Sequence, residues 1–366
     1  DPEFFGVVKT WTGQVDDIWN NESNWLNGNM PTETDVVYIP RAAGGPTTAA
    51  SRFPKIVNES GFESIGPLLT EATAHVFLNG HELYVSGGLQ ANGSIEGPGV
   101  VELGEVAPST FGLSGIVHAL LEVGDDGCIS GASYIAFGAV AGDSLQLNCP
   151  LFVADSALNV AGDLRVLGPD PEFIGIGGGL FQTSGDIVVG GNAFFAGLEE
   201  FIGGLLDIKG HLSVESNCES AEFIAISPHV TRLSGTAADS LHLDIAGCGA
   251  WFGKLEIATG GATGVTMNPH GAITTFMDSL RVKGGAKLDV NSGVNLFLNP
   301  LGSLDVETGG FLRIAGEFGN LVNCTITLDV NNNGPFHCDG DENVALRAPA
   351  RARPHPAWLD AAKARA

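Results

Sequence analysis

The most regular hydrophobic pattern of the chain lies between residues 280 and 319, where leucine recurs at every eighth position. The five octads begin at Leu280, Leu288, Leu296, Leu304 and Leu312. In each octad a second apolar residue follows two positions later, and then glycine, Asn-Pro or Asn-Ser. An alternating apolar pair bounded by turn residues predicts a short strand with one buried face, whereas a helix would need a period of about 3.6. We therefore expect Leu288, Leu296 and Leu304 to face inward.

A longer period is superimposed on the octads. The pattern L-x-[VI]-x-G-x-L-x begins at Leu83, Leu158 and Leu206, and a looser copy begins at Leu280. The intervals between these starts approximate three, two and three multiples of about 24 residues, the length of three short strands with three turns. Stacked coils of that length predict an all-β fold, a right-handed parallel β-helix or β-solenoid. A pair of β-sandwiches is the alternative, because short strands and glycine turns occur there too.

Three of the five tryptophans, Trp11, Trp19 and Trp25, lie in the segment "WTGQVDDIWNNESNWLNGNMPTETDVVYIP". An open solenoid end exposes strand edges and core, and repeat proteins cover both with an atypical terminal unit. We therefore predict an N-terminal cap. The alternative is a glycan-stacking platform, because aromatic rings among Asn, Asp and Gly also suit sugar faces.

The same segment, Trp11 to Pro40, resembles the N-terminal element of secreted parallel β-helix proteins. These include autotransporter-passenger-like proteins and surface proteins with short β-strand repeats. The resemblance rests on the linked Trp, Asn-Trp and Pro-Thr-x-x-Asp-Val-Val positions. It implies a secreted or cell-surface β-helix and no particular activity. The chain departs from bacterial members of that group in its six cysteines and its basic tail.

The net charge of the chain limits the classes of molecule that can bind to it. The formal net charge is −25, which repels nucleic acid, anionic membranes and polyanions. Residues 347–366 carry five basic residues and one acidic residue, so the rest of the chain is near −29. We interpret this tail as a linker with a short helix, or as a solvated segment. No apolar run reaches the length of about 18 residues that a membrane span needs, so we expect no membrane span. The predicted segments are a cap (1–45), a solenoid body (46–322), a disulfide loop (323–346) and the basic tail (347–366).

Cysteines and sequons favour an oxidising, secretory location. The six cysteines are Cys128, Cys149, Cys218, Cys248, Cys324 and Cys338, and taken two by two in chain order they form three pairs that are close in sequence. This spacing suits three local disulfides, although 15 connectivities exist for six cysteines. Glycosylation sequons begin at Asn21, Asn58, Asn92 and Asn323. We expect a secreted glycoprotein, extracellular or at a cell surface.

One metal motif is present near the C-terminal end. The D-x-[DN]-x-[DN]-G spacing of a Ca²⁺ loop is met by Asp329, Asn331, Asn333 and Gly334. Position twelve is Gly340 and not the usual glutamate, so Asp339 or Asp341 would have to substitute. The alternatives are a calcium site and an ordinary polar turn.

Catalytic motifs are weak, so we assign no catalytic residue. "GDDGCISG" resembles the Asp-Asp-Cys element of polygalacturonase-like hydrolases, but Gly127 separates Asp126 from Cys128, and a turn is the simpler interpretation. The sequence favours a non-catalytic structural or adhesive protein of a cell surface, wall or extracellular assembly. Its partners would be copies of itself, other extracellular proteins or polysaccharide. The alternative is a glycan-binding module or a polysaccharide-active lyase or hydrolase.

Overall fold

The computed structural model describes residues 6–41, 52–57, 61–104, 110–124, 133–148, 151–153, 157–167, 180–183, 186–196, 198–215, 222–236, 241–246, 250–259, 264–270, 273–307, 309–315, 318–320 and 336–338. The chain forms two compact units, Asp1–Gly191 and Asn192–Ala366. The described ranges contain 29 β-strands and one 3₁₀ turn, Glu22–Asn24. None of these residues forms a helix long and apolar enough to cross a membrane.

The first unit contains fourteen strands within its described ranges. They are β1 (Val8–Thr10), β2 (Val36–Ile39), β3 (Phe62–Ile65), β4 (Leu68–Thr70), β5 (His75–Phe77), β6 (Glu82–Ser86), β7 (Leu89–Gly104), β8 (Thr110–Val123), β9 (Ser133–Leu147), β10 (Leu151–Val153), β11 (Ala157–Val160), β12 (Leu164–Val166), β13 (Leu180–Thr183) and β14 (Asp186–Val189). The long strands β7, β8 and β9 each run through three successive faces of the unit, since each pairs with several short strands or with several stretches of the next long strand.

Strand pairing in the first unit is parallel, and the number of residues between paired positions varies from one pair of strands to another. Tyr134 pairs with Leu151, whereas Val37 pairs with Leu68, which is almost twice as far along the chain. Residues that share a register position in successive coils form what we call a column. Most residues of the inward columns are apolar and fully buried, as for Val37 and Leu68. The unit is therefore a stack of coils of unequal length.

The second unit contains the other fifteen described strands. They are β15 (Ala193–Phe195), β16 (Leu198–Phe201), β17 (Leu205–Ile208), β18 (Leu212–Glu215), β19 (Glu222–Ala225), β20 (Val230–Leu233), β21 (Leu241–Ala246), β22 (Ala250–Ile257), β23 (Val265–His270), β24 (Ile273–Val282), β25 (Lys287–Val290), β26 (Val294–Val306), β27 (Phe311–Ile314), β28 (Phe318–Asn320) and β29 (Phe336–Cys338). From β20 onward the interval between paired residues varies much less than in the first unit.

The octads of the second unit form the expected inward positions. Leu280, Leu288 and Leu296 lie on the successive strands β24, β25 and β26, and Leu304 pairs with Leu280 one coil later. All four leucines are fully buried. Because Leu304 begins the third octad after that of Leu280, three octads make one coil at this point. Val306 is the exception among the following apolar residues, because it is only half-buried.

The longer repeat is confirmed in one unit only. Leu206 and Leu280 occupy one column, joined through the register partners Thr231 and Leu255. In the first unit, Leu83 lies in the column of β6 and β12, whereas Leu158 lies in the column of β11. The interval between those two copies is not a whole number of coils, because the coils there differ in length.

The pairing pattern is that of an all-β solenoid, as the sequence predicted. Every strand pairing resolved in the described residues is parallel, and the one antiparallel contact is an isolated bridge between Trp11 and Trp25. Sandwiches of the immunoglobulin type are built from antiparallel strands joined as Greek keys. The alternative of paired β-sandwiches therefore does not fit either unit.

Candidate functional site

The tryptophans of the N-terminal segment lie inside the protein. Trp11, Trp19 and Trp25 are at most 2% exposed. Trp25 packs edge-on against both other rings, with centroid distances of 5.1 Å to Trp11 and 4.9 Å to Trp19. The indole N–H of Trp25 donates to the Trp19 carbonyl at 2.9 Å. No ring face is left for a ligand, so this arrangement suits a cap and does not suit a glycan-stacking platform.

A buried asparagine organises the loop between these tryptophans. The Asn24 side chain accepts hydrogen bonds from the backbone N–H groups of Val15 and Asp16 at 3.0 and 3.1 Å, and donates to the Ile18 carbonyl at 3.0 Å. Burial acts to raise the pKa of Asp16, but hydrogen bonds from Ile18, Asn21 and Asn24 outweigh it, so this pKa is lowered. The Asn and Asp positions of the motif therefore build the loop itself.

Histidine and carboxylate side chains share an outer face of the first unit. His75 Nδ1 lies 3.4 Å from Glu96 Oε1, and His118 Nδ1 lies 3.5 Å from Asp143 Oδ1. Glu96 and His118 are register partners on β7 and β8. A shallow depression is lined by Glu96, His118 and Asp143, with Gly97, Pro98, Gly99, Ala119 and Leu120 between them. Two carboxylates from different coils therefore reach one surface site.

Ser94 beside this depression is not arranged as a nucleophile. Its hydroxyl donates to Glu96 Oε1 at 2.5 Å and lies 2.8 Å from His75 Nδ1. A hydroxyl has one proton, so His75 must be the donor in its contact with Ser94. A histidine that activates a serine has to accept that proton. The arrangement therefore fixes side chains in place and does not prepare acyl transfer.

The second unit carries a ladder of alternating charge on one outer face. Its register order is Asp207, Arg232, Glu256, Arg281 and Asp305. Arg232 Nε lies 2.7 Å from Glu256, and Arg281 Nε lies 3.2 Å from Asp305. The Glu256 carboxylate is only 3% exposed and is also approached by Lys254 and Lys283 at 3.9 and 3.7 Å. These charges serve mainly to join neighbouring coils.

A polar column on another outer face also joins neighbouring coils. Asn291 donates to Asn268 at 2.7 Å, and Asn268 donates to Asp244 at 3.0 Å. His242 Nδ1 lies 2.9 Å from the same Asn268 amide. Each contact joins residues about one coil apart, so these side chains also satisfy one another along the stack.

A third outward column of the second unit carries apolar residues from β19 to β26. Ile224, Trp251, Phe276 and Phe297 are successive register partners on β19, β22, β24 and β26. We call these four residues the apolar row. Trp251 is 40% exposed and Phe297 is half-buried, while the strand residues on either side of each are buried. Beside the start of the row, Ile202 and Ile226 are each 44% exposed.

Sequence reasoning missed the apolar row. The interval between its members shortens at each step from Ile224 to Phe297, so no fixed period connects them. The signal that could have found it is a large apolar residue at an outward position between two inward ones, repeated about one coil later. "AWF" from Ala250 and "LFL" from Leu296 both have this form.

The chain matches no protein-family model, no curated protein and no solved structure. The resemblance of the N-terminal segment to secreted β-helix proteins therefore stays a prediction.

The two described sequons differ in their surroundings. Asn21 begins the 3₁₀ turn, where its side chain accepts from Ser23 N–H and donates to Asp16 at 2.8 Å. Asn92 is exposed, at a register irregularity of β7. A glycan on the Asn21 amide would replace its contact with Asp16, whereas Asn92 is accessible. Asn58 and Asn323 lie outside the described residues.

Most residues of the predicted disulfides and of the predicted calcium site lie outside the described residues. Cys128, Cys149, Cys218, Cys248 and Cys324 are not among the described residues, and only the backbone of Cys338 is, at the end of β29. The calcium candidates Asp329, Asn331, Asn333, Asp339 and Asp341 and the basic tail also lie outside the described residues. Elsewhere in the described ranges, no group of three or more His, Cys, Asp or Glu side chains is placed to hold a metal ion.

Proposed function

We propose that this chain is a secreted, right-handed parallel β-helix with a non-catalytic adhesive or structural role in an extracellular assembly. The handedness follows from the strong preference for right-handed crossovers between parallel strands. The extracellular location rests on the even cysteine count and the sequons.

The observation that carries the adhesive role is the group of exposed apolar side chains on one outer face of the second unit. Neighbouring apolar side chains that are exposed on an otherwise charged surface are candidates for binding other molecules, as are Ile202, Ile226 and Trp251 here. The neighbouring faces support the structural part of the role, because their charged and polar side chains mainly join one coil to the next. The second unit would then offer one region for binding, supported by coils that are joined to one another.

Two measurements test this proposal. Mass mapping of the unreduced protein is expected to link Cys128 with Cys149, Cys218 with Cys248, and Cys324 with Cys338. Free thiols throughout would remove the main support for secretion. Adhesion to polysaccharide-coated and protein-coated surfaces is expected for at least one coating. A protein that adheres to neither, and does not associate with itself, contradicts the adhesive role.

A polysaccharide-active enzyme is the second candidate, favoured by the depression that Glu96, His118 and Asp143 line. Two carboxylates at one site are what glycoside hydrolysis needs, one as acid and one as base or nucleophile. Screening neutral and acidic polysaccharides for new reducing ends or unsaturated products separates the candidates. We expect no products. Reproducible turnover that is lost in both Glu96→Gln and Asp143→Asn would favour the enzyme.

A further inference from the structure

Three asparagines of the first unit are each followed by glycine, a pair that is prone to a spontaneous backbone reaction. In this reaction the glycine nitrogen attacks the asparagine Cγ, and a succinimide ring forms. Glycine favours the step because it has no Cβ and tolerates many backbone conformations. The pairs within the described residues begin at Asn27, Asn79 and Asn92. All three asparagines are exposed, so exposure alone does not rank their reactivity.

Contacts between coils hold the pair at Asn79. Its Nδ2 donates to the carbonyl of Ile56 at 3.1 Å, in the preceding coil. The N–H of Gly80 donates to the carbonyl of Pro98, in the following coil. Neither the carboxamide nor the glycine nitrogen can move into a ring unless a contact between neighbouring coils breaks.

The pair at Asn92 is held from inside the stack. Gly93 is buried, and its N–H donates to the hydroxyl of Thr70 at 3.0 Å. A Cβ added at Gly93 would collide with the carbonyl oxygen of Ala74, so the backbone is tightly enclosed there. Ring closure has to rotate the backbone between Asn92 and Gly93, and the packing leaves no room for that rotation.

The pair at Asn27 is held only within its own turn. The N–H of Gly28 donates to the carbonyl of Trp25 at 3.0 Å. Such a local bond opens when one exposed turn fluctuates, whereas bonds between coils open only when the stack loosens. The Asn27 carboxamide has no hydrogen-bond partner within the described part of the chain. A Cβ added at Gly28 would meet no described atom within 4 Å beyond its chain neighbours, so the turn also has space to rearrange.

We propose that Asn27 is a site of spontaneous deamidation in the folded protein, whereas Asn79 and Asn92 are protected. A bond forms between Gly28 N and Asn27 Cγ, and the bond from Cγ to Nδ2 breaks. The Nδ2 group leaves as ammonia with the proton that Gly28 N loses. Water then adds to either carbonyl carbon of the ring and opens it, which leaves aspartate or isoaspartate at position 27. Water is the only co-reactant, so the step needs no enzyme.

The modification would change the chain beside the buried tryptophans. Both products add a negative charge, and isoaspartate also lengthens the backbone by one carbon. The preceding residue, Leu26, donates its N–H to the Thr10 carbonyl at 2.9 Å, next to the bridge between Trp11 and Trp25. The site is therefore at the outer edge of β1, and the proposal goes beyond the adhesive function and does not depend on it.

Peptide mapping by mass spectrometry, after prolonged incubation at mildly alkaline pH, tests the proposal. In the folded protein Asn27 is expected to react at least ten-fold faster than Asn79. The same difference is expected from Asn92, followed on chains that carry no glycan there. In denaturant the three rates are expected to come within a few-fold of one another, because the contacts between coils are lost.

Variants assign the reaction to its residue and its protection to the stack. Asn27→Gln is expected to abolish the reaction, since glutamine closes the corresponding ring much more slowly, and Asn29→Gln is the matched control that keeps it. Thr70→Val is expected to accelerate the reaction at Asn92 several-fold and to leave the rate at Asn27 unchanged, because only the Gly93 N–H loses its acceptor. Circular dichroism of each variant checks that the fold is retained.

Three outcomes would overturn the proposal. One is that Asn79 or Asn92 reacts as fast as Asn27 in the folded protein. Another is that Asn27 stays intact in the folded protein but reacts in denaturant, which would show that the bond within the turn protects it. The third is that the reaction persists in Asn27→Gln. None of these outcomes involves adhesion, so the proposed function is tested separately.

Discussion

Buried hydroxyl groups show how single residues adjust the stability of the stack. Thr231 is fully buried in the inward column that contains Leu206 and Leu255, and its hydroxyl has no hydrogen-bond partner among the described residues. Thr70 is also buried, but its hydroxyl accepts a hydrogen bond from the Gly93 N–H at 3.0 Å. The same residue type is therefore expected to have opposite effects on stability at the two positions.

We predict that Thr231→Val stabilises the protein by about 1 kcal/mol, because valine has the same shape and no polar atom to desolvate. Thr70→Val is expected to destabilise it by about 1 to 3 kcal/mol, because the buried Gly93 N–H loses its acceptor. Denaturant unfolding of both variants measures the difference. Equal destabilisation by the two substitutions would show that Thr231 has a partner after all.

The lowered pKa of Asp16 predicts how the N-terminal segment responds to acid. Since the folded-state pKa lies below the ordinary value of 3.8, the stabilisation from ionised Asp16 is complete above about pH 4. It is lost as the pH falls through the folded-state pKa. Asp16→Asn is expected to be less stable than the unaltered protein at neutral pH, and this difference is expected to shrink below about pH 4. Unfolding of both proteins is measured at several pH values by the fluorescence of the buried tryptophans. A difference in stability that does not depend on pH would contradict a stabilising role of ionised Asp16.

At the scale of single strands, an inward leucine tests the octad pattern. Leu296 on β26 is fully buried. Leu296→Ala is expected to reduce the free energy of unfolding by about 2 to 5 kcal/mol, because it leaves a cavity in the core. Leu26→Ala is the matched control, since Leu26 is 52% exposed and its loss is expected to cost less than about 0.5 kcal/mol. A change at Leu296 no larger than at Leu26 would contradict the inward assignment.

The sequence predicted strands best where the interval between paired residues equals three octads. Around Leu280 to Leu312, three octads fill one coil, so periodicity and register coincide. In the first unit, turns of different length separate the strands, and the spacing between Leu83 and Leu158 does not reveal their columns. The alternation of apolar and polar residues within a strand can still be recognised when turns differ in length, because it depends only on which side chains face inward. The register between strands cannot be predicted in that case, because it depends on the length of every turn.

The candidate surfaces were harder to predict than the core. The sequence left the tryptophans between a cap and a glycan platform, and only the burial of Trp11, Trp19 and Trp25 separates these alternatives. The apolar row was not anticipated, since its members lie on strands brought together by coils of unequal length. Most inward positions are apolar, whereas outward positions have no common chemistry that a pattern could show.

At the scale of a whole unit, stacking means that residues one coil apart in sequence are neighbours in space. Val230, Lys254, Ser279 and Ser303 are successive register partners at outward positions of the second unit. Val230 and Ser303 are thus three coils apart, although they are distant in the sequence. Three strand spacings correspond to about 14 Å between their backbones.

The most direct measurement is the distance between two spin labels, introduced as genetically encoded residues at Val230 and Ser303 so that the native cysteines are not involved. Stacked parallel coils predict strong dipolar broadening in electron paramagnetic resonance, corresponding to a separation of about 14 Å plus the reach of the labels. Unfolding in denaturant is expected to abolish the broadening. A separation beyond about 30 Å in the folded protein would contradict a stack of parallel coils, each about one strand spacing from the next.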